Sequence, residues 1–269
     1  MVKKLFKHEF LAWLRVLPVI YGITLAVSAM HRIIQLFETN SVYYNFIFIS
    51  ASVMYGIVLL VSLAAPVVFG IQRFYKNMFT GEGYLTHTLP VTPGNHLLVK
   101  SVTAVCFSAA SILVCGLSAV IITAGEVLFE ICKAGAYLVR HIPEQYAADL
   151  VFYIAEGLLL LLVAGFATHF LYYFCICAGQ LFRKNRVLAA VGVYFVLYMI
   201  TQILGTVLGV VLMILSETGA FDMVIDWVGR YPLETIHIGL WGSVAVYSVL
   251  TLLYYFVCHY ILKKKLNLE

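Results

Sequence analysis

The chain has 269 residues, of which 63% are apolar and only 11% are charged. An average soluble domain carries about 25% charged residues, so the composition excludes an ordinary soluble protein and indicates a polytopic membrane protein. The net charge of +4 does not indicate a nucleic-acid partner, because the basic residues cluster beside apolar runs.

The N-terminal residues 2–14 have the pattern of an amphipathic helix. Lysines at positions 3, 4 and 7 supply positive charge. Such a helix suits the headgroup region of a bilayer, and the alternative is a plain basic flank before the first span. Its apolar side is formed by Leu5, Phe6, Phe10, Trp13 and Leu14.

Six apolar runs follow, each at least as long as the roughly 20 residues that cross the hydrocarbon core. They predict transmembrane spans at about 17–36, 42–70, 97–122, 150–177, 187–215 and 236–262. The sequence contains no soluble domain and no clear internal repeat. The predicted fold class is therefore an all-α integral membrane protein with a single transmembrane domain over 1–269.

Charge predicts the orientation of these spans. Thirteen of the 17 Lys and Arg residues lie near the N-terminus, in 71–100, in 179–186 and in 263–265. The positive-inside rule places these segments, and hence both termini, in the cytoplasm. An even number of spans agrees with that orientation.

The segment 71–95 lies between the second and third spans and has its own pattern. Its apolar residues recur at spacings of three and four, which predicts an amphipathic cytoplasmic helix over 71–80. Gly81 is expected to end this helix, and a turn-rich tail is expected to follow. The segment is interpreted either as a helix lying on the membrane surface or as a docking element for a soluble partner.

Two further short helices are predicted on the outer side. Residues 219–231 show an amphipathic pattern between spans five and six, and 126–140 show a weaker one. The alternatives are caps over an outer vestibule and plain interfacial connections.

The sequence carries few signs of catalytic chemistry. It lacks the GxxxxGK[ST] phosphate loop and the HExxH and GxSxG motifs, so neither ATP binding by that route nor enzymatic activity is expected. The six cysteines have no metal-ligand spacing, so neither a metal site nor a disulfide framework is predicted.

Three polar residues inside the spans are candidates for a substrate path. Glu156 is the strongest, since a carboxylate in hydrocarbon is costly and usually faces a cavity or a partner. His169 and Gln202 are weaker candidates, with packing and interhelical hydrogen bonding as their alternatives. Gly205 and Gly209 form a small-xxx-small pair, which favours either a dimer interface or close packing within the chain.

The stretch 73–100 resembles the cytoplasmic loop of type-2 ABC transporter permeases from Gram-positive bacteria. The family has a similar F-Y-x-x-x-F-x-x-E-G-Y-L-T-x-T-L-P-V run after its second span. The position between the two threonines, often hydrophobic in that family, is His87 here. The matching residues are Phe74, Tyr75, Phe79, Glu82, Gly83, Tyr84, Leu85, Thr86, Thr88, Leu89, Pro90 and Val91.

The resemblance implies that this loop is a coupling helix that docks on a separate ATP-binding subunit. It implies two permease subunits, expected to be a homodimer, with two ATPases that bind ATP and Mg; this chain itself is expected to hold no cofactor. It also implies a bacterial plasma membrane location, with spans one and five at the dimer interface. The residues expected to take part in coupling are Arg73, Phe74, Tyr75, Lys76, Phe79, Glu82 and Tyr84.

The expected function is the permease subunit of an ATP-driven exporter of hydrophobic or amphipathic substrates, including peptides. The rival hypothesis is a stand-alone membrane immunity or sensor protein without an ATPase. An intramembrane enzyme is disfavoured, because Glu156, His169 and Gln202 do not form a convergent set.

Overall fold

The structure is a computed structural model that describes residues 2–88, 91–141, 147–182, 184–219 and 221–264. Within these ranges the side chains of residues 85–87, 138–141 and 147–149 are not described. The described part of the chain forms ten helices and no strand. The helices are α1 (Val2–Leu14), α2 (Leu17–Leu36), α3 (Val42–Phe79), α4 (Gly81–Thr88), α5 (Pro93–Ile122), α6 (Glu126–His141), α7 (Ala147–Gly179), α8 (Arg186–Glu217), α9 (Asp222–Arg230) and α10 (Pro232–Lys264).

Among the described residues, six segments are long and apolar enough to cross a membrane, and they contain the six predicted spans. The first of them joins α1 and α2, the fourth is Leu150–Gly179 within α7, and the others coincide with α3, α5, α8 and α10. The all-α class and the multi-pass membrane character are thereby confirmed. The helices extend past most predicted spans because their polar ends continue the helix beyond the apolar run.

The second span differs from the prediction in one respect. α3 continues without a break from Val42 to Phe79, so the predicted 71–80 helix is the last part of this long helix. No residue between Gly70 and Phe79 interrupts the backbone hydrogen bonding, and Pro66 is accommodated inside the helix. At 1.5 Å per residue, α3 is about 57 Å long.

The segment after α3 also differs from the prediction. α3 ends at Phe79, just before Gly81, as the sequence predicts, but Gly81 itself is not left-handed and begins a second helix, α4. The expected turn-rich tail is therefore helical up to Thr88. Glu82 in the first turn of α4 favours this start, since a carboxylate stabilises a helix N-terminus.

The chain divides into two compact units, residues 1–78 with 82–150 and residues 79–81 with 151–269. In the first unit α2 packs along α5, and α1 packs on the same helix. Its core is an aromatic cluster in which the Trp13 ring lies 5.1 Å from Phe69 and 5.3 Å from Phe107. The aromatic side of α1 therefore packs against protein. The prediction of one permease domain over 1–269 stays a prediction.

Polar contacts join the spans of the first unit inside this framework. The Tyr21 hydroxyl donates to the Phe107 carbonyl at 2.9 Å. The Ser52 hydroxyl donates its hydrogen to the Phe48 carbonyl. In the contact between Ser52 Oγ and His31 Nε2 at 2.9 Å, the His31 N–H is therefore the donor. Such bonds hold membrane helices together where burial of apolar surface adds little.

In the second unit, aromatic side chains fill the space between α7 and its neighbours. Phe170 packs edge-on against Tyr255 of α10, and Tyr172 stacks with Tyr194 of α8. None of the 32 residues of α8 is buried. The short helices predicted at 126–140 and 219–231 are present as α6 and α9.

Candidate functional site

The candidate site is the corner where α3 ends and α4 begins, called here the α3–α4 corner (residues 73–84). One side of the corner is fixed inside the protein: Phe74 and Met78, one turn apart on α3, are fully buried. The helical period that places these two side chains inward turns Lys76 outward. The corner thus has an apolar side that fixes it and a polar side that is open.

A buried cluster of charges, called here the Glu9 cluster, ties the corner to two other helices. The Glu9 carboxylate of α1 accepts a hydrogen bond from the Arg73 guanidinium of α3 at 2.6 Å. The same oxygen accepts one from the Lys100 ammonium of α5 at 3.2 Å. The side chains of Glu9 and Lys100 are only 6% exposed, and that of Arg73 is 26% exposed. Buried charges persist only when paired, so these three residues specify how α1, α3 and α5 meet.

A second ion pair bridges the corner on its open side. Lys76 of α3 lies 2.9 Å from the Glu82 carboxylate of α4, and the two side chains are 63% and 50% exposed. Exposed pairs of this kind contribute about 0–1 kcal/mol, so the pair does little to hold the corner. It leaves one positive and one negative group accessible beside the exposed Tyr84.

Close approach of α1 and α3 depends on a glycine. A Cβ atom added at Gly70 would lie 3.3 Å from the Trp13 ring, closer than a side chain normally packs. Gly70 therefore lets the indole of α1 lie against the α3 backbone, one turn before Arg73. The position of α1 on α3 is set by this contact together with the Glu9 cluster.

The residues predicted to couple to a partner fall into two sets. Phe74 and Phe79 are buried, Tyr75 is half-buried, and Arg73 is occupied by Glu9. Lys76, Glu82 and Tyr84 are exposed. Leu89 and Pro90 of the resemblance lie outside the described residues, as do the side chains of Leu85, Thr86 and His87.

Glu156 of α7 lies in a second cluster, called here the Glu156 cluster, together with three side chains from α7 and α10. The His237 Nδ1 lies 2.8 and 2.9 Å from the two carboxylate oxygens. Because an ionised carboxylate only accepts, Nδ1 carries the hydrogen. The Trp241 indole N–H donates to the same carboxylate at 2.8 Å. Tyr153 stacks on the His237 ring at 4.2 Å and donates to the Leu233 carbonyl.

The other candidates of the substrate path are not brought to Glu156. His169 is buried further along α7, and Gln202 is exposed on α8. Gly205 and Gly209 are also exposed, and no atom of the described chain would lie within 4 Å of a Cβ at either position. In the described part of the chain, no group of three or more His, Cys, Asp or Glu side chains could hold a metal ion.

Sequence reasoning missed Glu9, Lys100, His237 and Trp241. A signal was present for Glu9, because it is the one acid within the first 37 residues and lies on the aromatic side of α1. His237 and Trp241 lie four residues apart and therefore share a face of α10. Their partner Glu156, however, is 81 and 85 residues away along the chain, and periodicity does not predict contacts over such a separation.

Comparisons with known proteins identify no relative of this chain. No protein-family model matches the chain, and neither a curated protein nor a solved structure matches it.

Proposed function

We propose that this chain is the membrane-spanning permease subunit of an ATP-driven exporter and that the α3–α4 corner is where a separate ATPase subunit acts on it. The observation that carries the proposal is the construction of the corner. Phe74 is buried beneath it, Glu9 ties it to two helices, and Lys76, Glu82 and Tyr84 remain exposed. A force-transmitting element needs a fixed attachment and an open recognition face together.

The continuity of α3 supports the same proposal. A displacement of the corner is transmitted along one rigid helix of about 57 Å, because α3 has no break between the corner and its other end. α1 and α5 follow through the buried Glu9 cluster. When two ATPase subunits close on ATP and Mg, they would in this way shift the equilibrium between two packing arrangements of the spans.

The proposed assembly contains two copies of this chain and two ATPases in a bacterial plasma membrane, with both termini in the cytoplasm. The distribution of Lys and Arg supports that orientation. α8, which has no buried residue and carries Gly205 and Gly209, supports a second copy as its packing partner. Apolar spans with few charges favour hydrophobic or amphipathic substrates, peptides among them.

The test is coupling in reconstituted vesicles that contain the chain and the ATPase that co-purifies with it. Replacing Lys76, Glu82 and Tyr84 by alanine is expected to leave the chain folded and to abolish the stimulation of ATP hydrolysis by the permease. The matched control replaces three exposed residues of α9, namely Met223, Asp226 and Arg230.

Two results would contradict the proposal. If no ATP-binding subunit co-purifies in stoichiometric amount, the alternative hypothesis of a stand-alone immunity or sensor protein is favoured. If stimulation survives the triple replacement, the ATPase acts elsewhere on the chain.

A further inference from the structure

The Glu156 cluster contains a carboxylate that lacks a permanent counter-charge. In the described part of the chain no lysine or arginine lies within ion-pair distance of Glu156, and its one ionisable partner is His237. Two donors, an imidazole N–H and an indole N–H, reach the carboxylate. The Glu156 carboxylate therefore has two hydrogen-bond donors but no fixed cation beside it.

Two aromatic side chains belong to the same cluster. The Tyr153 ring lies against His237 at an interplanar angle of 15°, and the large Trp241 ring is 55% exposed beside the carboxylate. Aromatic faces attract cations through their quadrupole, and tryptophan does so most strongly. A carboxylate flanked by exposed aromatic surface favours a positive group attached to an apolar body.

The depth of the cluster suits such a ligand. Glu156 lies about 14 Å from the start of α7 and His237 about 8 Å from the start of α10, at 1.5 Å per residue. Both helices begin at the same predicted side of the membrane, so the cluster lies near one membrane surface. The Glu156 side chain is 12% exposed and that of His237 is 27% exposed, so the carboxylate is shielded yet open to a ligand.

We propose that Glu156, Tyr153 and Trp241 form a binding site for an amphiphilic cation, an ammonium or guanidinium group on an apolar body. Glu156 supplies the charge, Trp241 and Tyr153 supply the aromatic surface, and His237 holds the carboxylate in place until the ligand arrives. The role of this site in substrate binding rests on the proposed export function, whereas cation binding itself needs no ATPase.

The experiment measures saturable binding of tritiated dodecyltrimethylammonium to the full chain in phosphatidylglycerol nanodiscs, with the signal from empty nanodiscs subtracted. We expect one site per chain, and tritiated dodecanol is expected to show no saturable binding. Glu156→Gln is expected to weaken binding about tenfold, the effect of about 1.4 kcal/mol. The control Glu234→Gln removes an exposed carboxylate from the same end of α10 and is expected to change binding less than twofold.

A second pair of variants remains informative if Glu156→Gln does not fold. Trp241→Phe keeps an aromatic face and is expected to bind within threefold of the wild type, whereas Trp241→Leu is expected to bind about tenfold more weakly. Equal binding by the phenylalanine and leucine variants would overturn the aromatic part of the site. Equal binding by Glu156→Gln and the wild type, or saturable binding of dodecanol, would overturn the cation site.

Two further experiments identify where the cation comes from and whether the site takes part in export. Weaker binding in nanodiscs that contain phosphatidylethanolamine would assign the site to a lipid ammonium, and unchanged binding assigns it to another amphiphile. In vesicles with the ATPase, ATP-driven export of the bound cation supports a substrate site. Binding without export would contradict the export role and leave the cation site standing, whereas absent binding would refute the site regardless of export.

Discussion

Replacing Glu9 by glutamine tests how the α3–α4 corner is tied to the rest of its unit. The substitution keeps the shape of the side chain but removes the negative charge that the Arg73 and Lys100 cations share. The two cations then repel each other, and Lys100, whose side chain is 6% exposed, cannot turn to water. At an effective dielectric constant of 20, one ion pair at 4 Å corresponds to about 4 kcal/mol.

The expected loss follows from this geometry. Breaking a buried ion pair by removing one partner costs about 3–5 kcal/mol in free energy of unfolding. The glutamine oxygen still accepts a hydrogen bond, so we expect a loss of about 3 kcal/mol. The double variant Glu9→Gln with Lys100→Met removes both buried charges and leaves the part-exposed Arg73, so it is expected to lose less than about 1.5 kcal/mol.

The assay is reversible unfolding of the purified chain in mixed micelles by sodium dodecyl sulfate, followed by circular dichroism. The matched control is Glu82→Gln, which breaks the exposed pair with Lys76 and is expected to cost less than about 1 kcal/mol. Equal losses in Glu9→Gln and the control, or a loss in the double variant as large as that of Glu9→Gln alone, would refute a charge effect in the Glu9 cluster.

Two more predictions use the same unfolding assay. Gly70→Val is expected to lower the free energy of unfolding by about 2 kcal/mol, because its side chain would overlap the indole ring of α1. Gly56→Val meets open space and serves as the control. Equal losses in the two variants would refute the close approach of α1 and α3. Phe74→Ala is expected to lower the free energy of unfolding by about 3–5 kcal/mol, because the ring is fully buried. Tyr84→Ala, at a 54% exposed position, is expected to lower it by less than about 0.5 kcal/mol and to reduce the stimulation of ATP hydrolysis instead. Loss of stability in Tyr84→Ala, or none in Phe74→Ala, would contradict the assignment of a buried and an open side.

The helices themselves followed from the sequence because long apolar runs leave few alternatives. The first span was predicted at 17–36, and α2 has these bounds, since Arg15 and Pro18 mark its start and Glu38 lies just after its end. The predicted helix end at Gly81 is confirmed, because α3 ends at Phe79, but the turn-rich tail predicted after it is helical up to Thr88, since glycine permits a left-handed turn without requiring one. The neighbouring Glu82 favours a helix start at the same place.

The partners of the polar side chains could not be predicted. Periodicity assigns a residue to a helix face, but it does not say which distant helix packs there. Glu9 and Lys100 are 91 residues apart in sequence, and Glu156 and His237 are 81 apart. Glu156 was visible in the sequence as a charge in an apolar run and Glu9 as the one acid of the first 37 residues, yet only tertiary packing supplies their partners.

The most direct test of the central claim is site-specific photo-crosslinking at the α3–α4 corner in the native membrane. A benzoylphenylalanine at position 84 replaces an exposed tyrosine with a larger aromatic residue, and the same label at the exposed position 223 on α9 is the control. We expect label 84 to crosslink an ATP-binding subunit, identified by mass spectrometry, and label 223 not to do so. Crosslinking of lipid alone at position 84, or equal capture of the ATPase at both positions, would contradict the claim that the ATPase docks at this corner.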